Sequence, residues 1–163
     1  MANAAAKIGF KCKVYVNTGT YGSPTWAAVA AVNEWTWTIE ANSADASDRY
    51  SFTDYMVKTG LKISFNGTVR VGGENAEKFL DELYTCDVLD VMVLDGTSAT
   101  NGSKGIRCDV QVHGGTQSQN RGDALYHQIT LIPTPSANPV KAVLVATGAP
   151  TFGEITGDAP SYA

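Results

Sequence analysis

Cys108 and His127, on neighbouring strands, are a conceivable nucleophile and base. A thiol and an imidazole on successive segments are the parts of a nucleophile–base couple. No third residue stands out to orient the imidazole, so the plainer reading is a core thiol beside a hydrogen-bonded core imidazole. The other histidine, His113, adjoins a glycine-rich tip. Cys12, Cys86 and Cys108 form an odd set without Cys-x-x-Cys or Cys/His ligand spacing. They read as small buried apolar residues in a reducing compartment. Asp45, Asp48 and Asp54 lie in D-A-S-D-R-Y-S-F-T-D, which lacks the central Gly and terminal Glu of a calcium loop. Gly72-Gly73 and Gly114-Gly115 lack both the Gly-Lys-Ser/Thr end of a phosphate loop and the spacing of a dinucleotide fingerprint. Trp35 and Trp37 could stack on a sugar, but on the apolar side of a strand they fit a core better. The expectation is no catalytic group, no metal and no cofactor, hence not an enzyme.

The elements around these residues carry more information. Glu34–Ala41, Leu61–Val71, Lys104–Val112 and Ala124–Ile132 each alternate polar and apolar residues. Period-two patterning sends the two kinds to opposite sides of a sheet. One side collects Trp35, Trp37, Ile39, Leu61, Ile63, Phe65, Val69, Val71, Ile106, Cys108, Val110, Val112, Leu125, Ile129 and Leu131. The other collects Thr36, Thr38, Glu40, Lys62, Ser64, Asn66, Thr68, Arg70, Arg107, Asp109, Gln111, Gln128 and Thr130. Such a sheet rests one face on a core and wets the other. A wet face of that extent calls for a use.

The 163 residues suffice for one sizeable core and are few for two. Phe10–Val16, Val88–Leu94 and Val140–Ala146 complete about seven strands. Ala76, Phe79, Leu80, Leu83 and Tyr84 mark one face of a helix over Glu74–Cys86. The long polar stretch Asn42–Thr59 reads as a loop of functional length. His113–Asp123 reads as a hairpin tip. The division expected is a β domain over 1–146 and a Gly/Pro/Ala-rich arm or tail over 147–163. A net charge of −4 without basic clusters disfavours general attraction to nucleic acid. Charged residues make up 17%, low for a freely soluble monomer, which points to surface covered in an assembly. The first residues lack a signal-peptide stretch and no segment is long enough to span a membrane, so cytoplasmic residence and no membrane insertion are expected.

The order of these parts has a precedent. A polar Ser/Asp/Arg loop leads to Gly60-Leu61, then F-N-G-T-V-R-V, then the helix E-N-A-E-K-F-L-D-E-L. There follow a strand closed by Asp95-Gly96, a strand opening Lys104-Gly105-Ile106, and a strand entering T-L-I-P-T-P. From Phe10 to Pro135 this resembles the major tail, or tail tube, proteins of long-tailed bacteriophages. Contractile-tail tubes and bacterial secretion tubes share the general architecture. The resemblance implies a mainly β (α+β) fold, a β-sandwich or incomplete barrel with one flanking α-helix. It implies six-subunit rings stacked into a virion tail tube, assembled in the host cytoplasm, through which DNA leaves. The partners implied are further copies of the chain, tape-measure and other tail proteins, and double-stranded DNA in passage.

Each subunit would give about four strands to a shared inner barrel. Twenty-four strands at about 4.8 Å, tilted about 40°, enclose a backbone diameter of roughly 48 Å. The lumen face would be Thr36, Thr38, Glu40, Lys62, Ser64, Asn66, Thr68, Arg70, Asp109, Gln111, Gln128 and Thr130. The family's lumens tend to be acidic, whereas here Glu40 and Asp109 stand against Lys62, Arg70 and Arg107, so a wall mostly of neutral polar residues is expected. Asn42–Thr59 would tie subunits together through Asp45, Asp48, Arg49, Tyr50, Phe52 and Tyr55, since Tyr and Arg are common interface anchors. Two readings compete: a β-sandwich that binds carbohydrate or a receptor through Trp26 and the Tyr-rich loops, and another ring protein of a contractile injection machine.

Overall fold

The computed structural model describes residues 13–30, 32–45, 56–118, 125–155 and 162. Among them the chain runs β1 (Lys13–Asn17), β2 (Trp26–Ala28), β3 (Val32–Asp45), β4 (Met56–Arg70), α1 (Glu77–Thr85), β5 (Leu89–Leu94), β6 (Lys104–Ser118), β7 (Tyr126–Pro133), β8 (Lys141–Ala146) and β9 (Ala149–Glu154). All strand pairs are antiparallel, in the order β2-β1-β5-β6-β7-β4-β3, with β8 on β6 and β9 on β8. β6 joins two layers. Its first half pairs with β5 on one edge and β8 on the other, and its second half pairs with β7.

The apolar sides of these layers meet. Val14, Val16, Val91 and Val93 from β1 and β5 share one buried cluster with Phe65 and Val69 of β4 and Ile129 and Leu131 of β7. This is the expected open β-sandwich with one flanking helix. Burying each of the larger side chains stabilises the fold by about 1.5–3 kcal/mol.

A second cluster lies on the opposite side of β1 and β5. Tyr15, Met92 and Leu94 pack against Val143 and Val145, with Trp26 and Phe152 at the border. Its cover is the β8–β9 hairpin, so Ala149–Glu154 is a paired strand and not part of a loose arm. Thr147 and Gly148 both have positive φ, as a type I′ hairpin turn requires. Gly tolerates that conformation freely, and the short turn sends β9 straight back along β8.

The helix is shorter than the periodicity predicts. Glu74–Ala76 form a turn with Asn75 at φ 61°, and α1 opens at Glu77, whose carboxylate accepts from the Gly72 N–H at 2.8 Å. Ala76 and Phe79 are buried and Leu80 and Leu83 half-buried, but Tyr84 is 83% exposed. The expected apolar face therefore loses its last member to solvent.

The largest change concerns the stretch read as a loop. β3 and β4 pair from Trp35↔Gly67 outward to Asp45↔Met56, with one irregularity near Asn42. Asn42–Asp45 and Met56–Thr59 are thus strand. β7 meets β4 only over Phe65–Arg70. Beyond it β3 and β4 continue as a two-stranded arm of roughly 25–30 Å, at about 3.3 Å per residue. The arm forms by backbone pairing, which polar residues satisfy as well as apolar ones. At its root Gly67 leaves room for the Trp35 ring, which would lie 2.0 Å from a Cβ there.

Candidate functional site

The chain's distinctive surface is the polar side of β3–β4–β7–β6. Register places its residues in rows. Thr36, Asn66, Thr130 and Gly114 face one another across the four strands, and so do Glu34, Thr68, Gln128 and Thr116. Thr130 Oγ1 donates to Asn66 Oδ1 at 2.9 Å, linking β7 to β4 within the first row. These rows enclose a shallow polar hollow of about 330 Å³. Thr36, Asn66, Gln128, Arg70, Lys62 and Glu40 are exposed, while Thr38, Ser64, Thr68, Gln111 and Thr130 are half-buried.

Not all the sequence-assigned face residues lie together. Thr38↔Ser64 and Glu40↔Lys62 sit on the arm, where β3 and β4 run side by side with no third strand among the described residues. Gln111 is turned to local structure, donating to the Cys86 carbonyl at 2.8 Å and accepting from Thr134 Oγ1 at 3.1 Å.

Asp109 is a correction. It is buried and accepts from Asn138 Nδ2 at 2.8 Å. Arg107 is also buried, clasped by Asp90 and stacked on Tyr21 at 3.8 Å, with the Phe152 and Trp26 rings close by. The reason lies in β6, whose first half carries the second cluster on this side. Only its second half belongs to the open wall. Glu34 and Ile132 occupy that side too, in phase with its other residues, and so do Gly114 and Thr116, which strict alternation along β6 missed. A register shift between Val112 and Gly114 resets the phase of β6.

This resolves the charge of the face. With Arg107 and Asp109 withdrawn and Glu34 added, the exposed charges of the face among the described residues are Glu34 and Glu40 against Lys62 and Arg70. Two acids and two bases cancel.

The wall ends in two unpaired edges. Among the described residues β3 pairs with β4 alone, and the stretch of β6 after Val110 pairs with β7 alone. Unpaired edges present rows of backbone donors and acceptors that favour pairing with another strand. Four antiparallel strands give these edges opposite directions. A second copy related by rotation would therefore lay its β3 antiparallel to this β6, and the alternation would continue without a flip.

Of the interface residues assigned to the long loop, Asp45 ends β3. Asp48, Arg49, Tyr50, Phe52 and Tyr55 lie outside the described residues, as do Phe10 and Cys12.

The nucleophile–base pair has no geometry to support it. Cys108 opposes Val91, whereas His127 opposes Gln117, nine positions farther along β6. At about 3.3 Å per residue that separates them by roughly 30 Å. Burial pushes the Cys108 thiol up to about 12, with Asp109 and Asp90 adding to the shift. Cys86, in contrast, is exposed in the left-handed position that ends α1. A maleimide at about pH 8.5, where a free thiol is half ionised, is expected to label Cys86 within minutes and to spare Cys108 until the chain unfolds. Mass spectrometry of digests reads the difference. The same shift sets a pH effect. From about pH 9 to about 12 the unfolded thiol ionises before the folded one, so stability falls as pH rises through that window.

Among the described residues no group of three acidic, His or Cys side chains could hold a metal ion, and no helix is long and apolar enough to cross a membrane.

No family model matches the chain, and no curated protein matches it. Solved structures do. The tail of an empty gene transfer agent particle with C6 symmetry superposes with a TM-score of 0.66 at 11% identity, covering 86% of this chain and 100% of that one. The virion of a native gene transfer agent particle contains a chain matching at 0.65 and 8% identity, over 80% and 96%. The SPP1 tail tube matches at 0.65 and 10% identity, over 80% and 77%. At these identities the likeness is one of fold, and the fold of this chain is that of a tail tube subunit.

Proposed function

We propose that the chain is a structural virion protein that assembles with copies of itself into rings, six-membered by the symmetry of its structural neighbour, which stack as a tail tube. The observation that carries this reading is the four-stranded wall: one polar face, one core face, and two free edges of opposite direction. Rotation-related copies complete the backbone pairing of both edges at once and close on a hydrated bore. The neutral polar face suits a conduit for DNA ejection, because a duplex held by few phosphate contacts slides. Tape-measure and other tail proteins are the partners this role requires, and the host cytoplasm is where assembly takes place. The polar residues of β3, β4, β7 and the second half of β6 form the lumen wall, with Lys62 and Glu40 on the arm at its rim.

Electron microscopy of the purified chain at rising concentration tests this, paired with amide hydrogen exchange. Rings or hollow tubes are expected. Amides on the outer edges of β3 and of Val112–Ser118 should slow by orders of magnitude on assembly, since they gain partners only then. Discrete monomers at every concentration, with both edges exchanging freely, would overturn the proposal.

A further inference from the structure

Two apolar patches are exposed on the core-facing side of the sheet, at its two opposite edges among the described residues. The first is on the arm. Trp37↔Phe65 and Ile39↔Ile63 share a side, as do Ala41 and Leu61. Phe65 and Ile63 are buried, but Ile39 is 47% exposed, Trp37 37% and Leu61 36%. The second patch is the end of α1. This helix crosses the apolar side of the wall, from Phe79 beside Trp35 on β3 to Leu83 over Gly115 on β6. Gly115 permits the approach, since a Cβ there would stand 2.9 Å from Leu83 Cδ2. The helix thus reaches the free edge of β6, where Leu80 and Leu83 stay half-exposed and Tyr84 stands out into solvent.

A large aromatic at the mouth of one free edge and a Trp/Ile/Leu stripe at the other are halves of a contact that one chain cannot make with itself across the width of its own sheet. We infer that in the assembled ring the α1 end of each copy, centred on Tyr84, is covered by the Trp37–Ile39–Leu61 stripe of the next copy. The inference rests on the ring reading above and adds a second, outer layer to the edge pairing. When a neighbour's β3 lies along this β6, its core-facing side chains emerge on the side where α1 overhangs. The apolar patches then face each other while the polar faces continue the bore. The contact is heterologous, with a different surface from each partner, which is what a closed ring of one chain type needs. Removing this apolar area from water adds affinity that edge hydrogen bonds alone supply poorly, since those bonds only replace bonds to water.

Native Cys86, exposed two residues beyond Tyr84, supplies a probe. In an Ile39→Cys variant, a short bis-maleimide should link the introduced thiol of one copy to Cys86 of the next, giving a ladder of covalent oligomers from assembled protein. The ladder should vanish in Ile39→Cys/Cys86→Ser. Independently, Tyr84→Asp and Ile39→Asp should each raise the concentration needed for assembly by about ten- to a hundredfold, the scale of one large apolar side chain left unburied. Their melting as monomers should stay unchanged, because both positions are exposed. Tubes that form without inter-chain links, links confined to single chains, or charge variants that assemble normally would overturn this contact and leave the ring reading standing. An unmodified chain that never assembles would overturn both.

Discussion

Replacing Asp90 with alanine is expected to cost about 3–5 kcal/mol, the scale for breaking a buried ion pair by removing one partner. The Arg107 side chain is 3% exposed and that of Asp90 11%. The guanidinium donates from Nε to both carboxylate oxygens, at 3.0 and 3.2 Å, and from a terminal nitrogen to Oδ2 at 2.6 Å. It also donates to the Tyr21 carbonyl at 2.8 Å, and Asn17 Nδ2 donates to Asp90 at 2.9 Å. Without the carboxylate the charge keeps one carbonyl and three aromatic faces. Cation–π contact returns about 2 kcal/mol at most in such a site.

Domains of this size are stable by about 5–15 kcal/mol, so the variant sits near the threshold of folding. Urea denaturation below the assembly concentration measures the loss. Adding Arg107→Met to Asp90→Ala should recover most of it, because Met fills the aromatic slot without a charge to desolvate. A single Asp90→Ala variant with an unchanged midpoint would show that the pair contributes nothing. The cluster also explains how the second layer is held. Tyr21, Trp26 and Phe152 come from the β1–β2 loop, β2 and β9, and one arginine of β6 gathers all three.

That cluster marks where the sequence was hard to read. Arg107 and Asp109 alternate with Ile106, Cys108 and Val110 in perfect phase, and phase assigns them to the side opposite the core. What phase cannot convey is that a second layer covers that side. Over Arg107 the cover comes from the β1–β2 loop, β2 and β9, and over Asp109 from Asn138; of these, β9 lies in Gly/Pro/Ala-rich surroundings that look like a tail. The signal that could have revealed it is small: Thr147-Gly148 between two runs with strand character. The same limit acts in reverse on the arm. Trp37, Ile39 and Leu61 have the alternation of core residues and share a side with Ile63 and Phe65, yet all three stay exposed, Trp37 at the margin of an apolar hollow it shares with Val14, Val93 and Leu94. Alternation fixes a side; the topology decides whether that side is filled. Within the four-stranded wall, where one side packs on the core, alternation located Phe65, Val69, Ile129 and Leu131 correctly. The arm's outer strands were missed for a simpler reason: N-S-A-D pairs through its backbone and leaves no apolar trace.

Phe79→Ala should produce the other large effect, also about 3–5 kcal/mol. Phe79 is fully buried, and its ring centroid lies 6.4 Å from that of Trp35. Beyond Phe79, α1 is held near its C-terminal end, by Leu83 over Gly115 and by Gln111 on the Cys86 carbonyl. Nine residues are too few for a stable isolated helix, and Ala76 at its N-cap makes no side-chain cap. Glu77 at the start and the left-handed Cys86 at the end, whose N–H donates to the Glu82 carbonyl at 2.9 Å, close the termini but do not dock the helix. Docking falls to Phe79, supported by Ala76 and Leu83. Truncating it empties a site bounded by the Trp35 ring, which itself rests on Gly67 and cannot collapse far. The expected pattern is therefore local as well as global. Hydrogen exchange of α1 amides should accelerate far more than that of β4 and β7, whose pairing does not pass through the helix. Phe79→Leu, which keeps most of the volume, should lose less than half as much and retain helix protection. Assembly should follow the helix and not the sheet. At concentrations where Phe79→Ala remains folded, its free edges are intact but the overhang beside β6 is gone, so rings should fail to form. Rings that form normally from a chain with an undocked α1 would show that edge pairing alone closes the assembly.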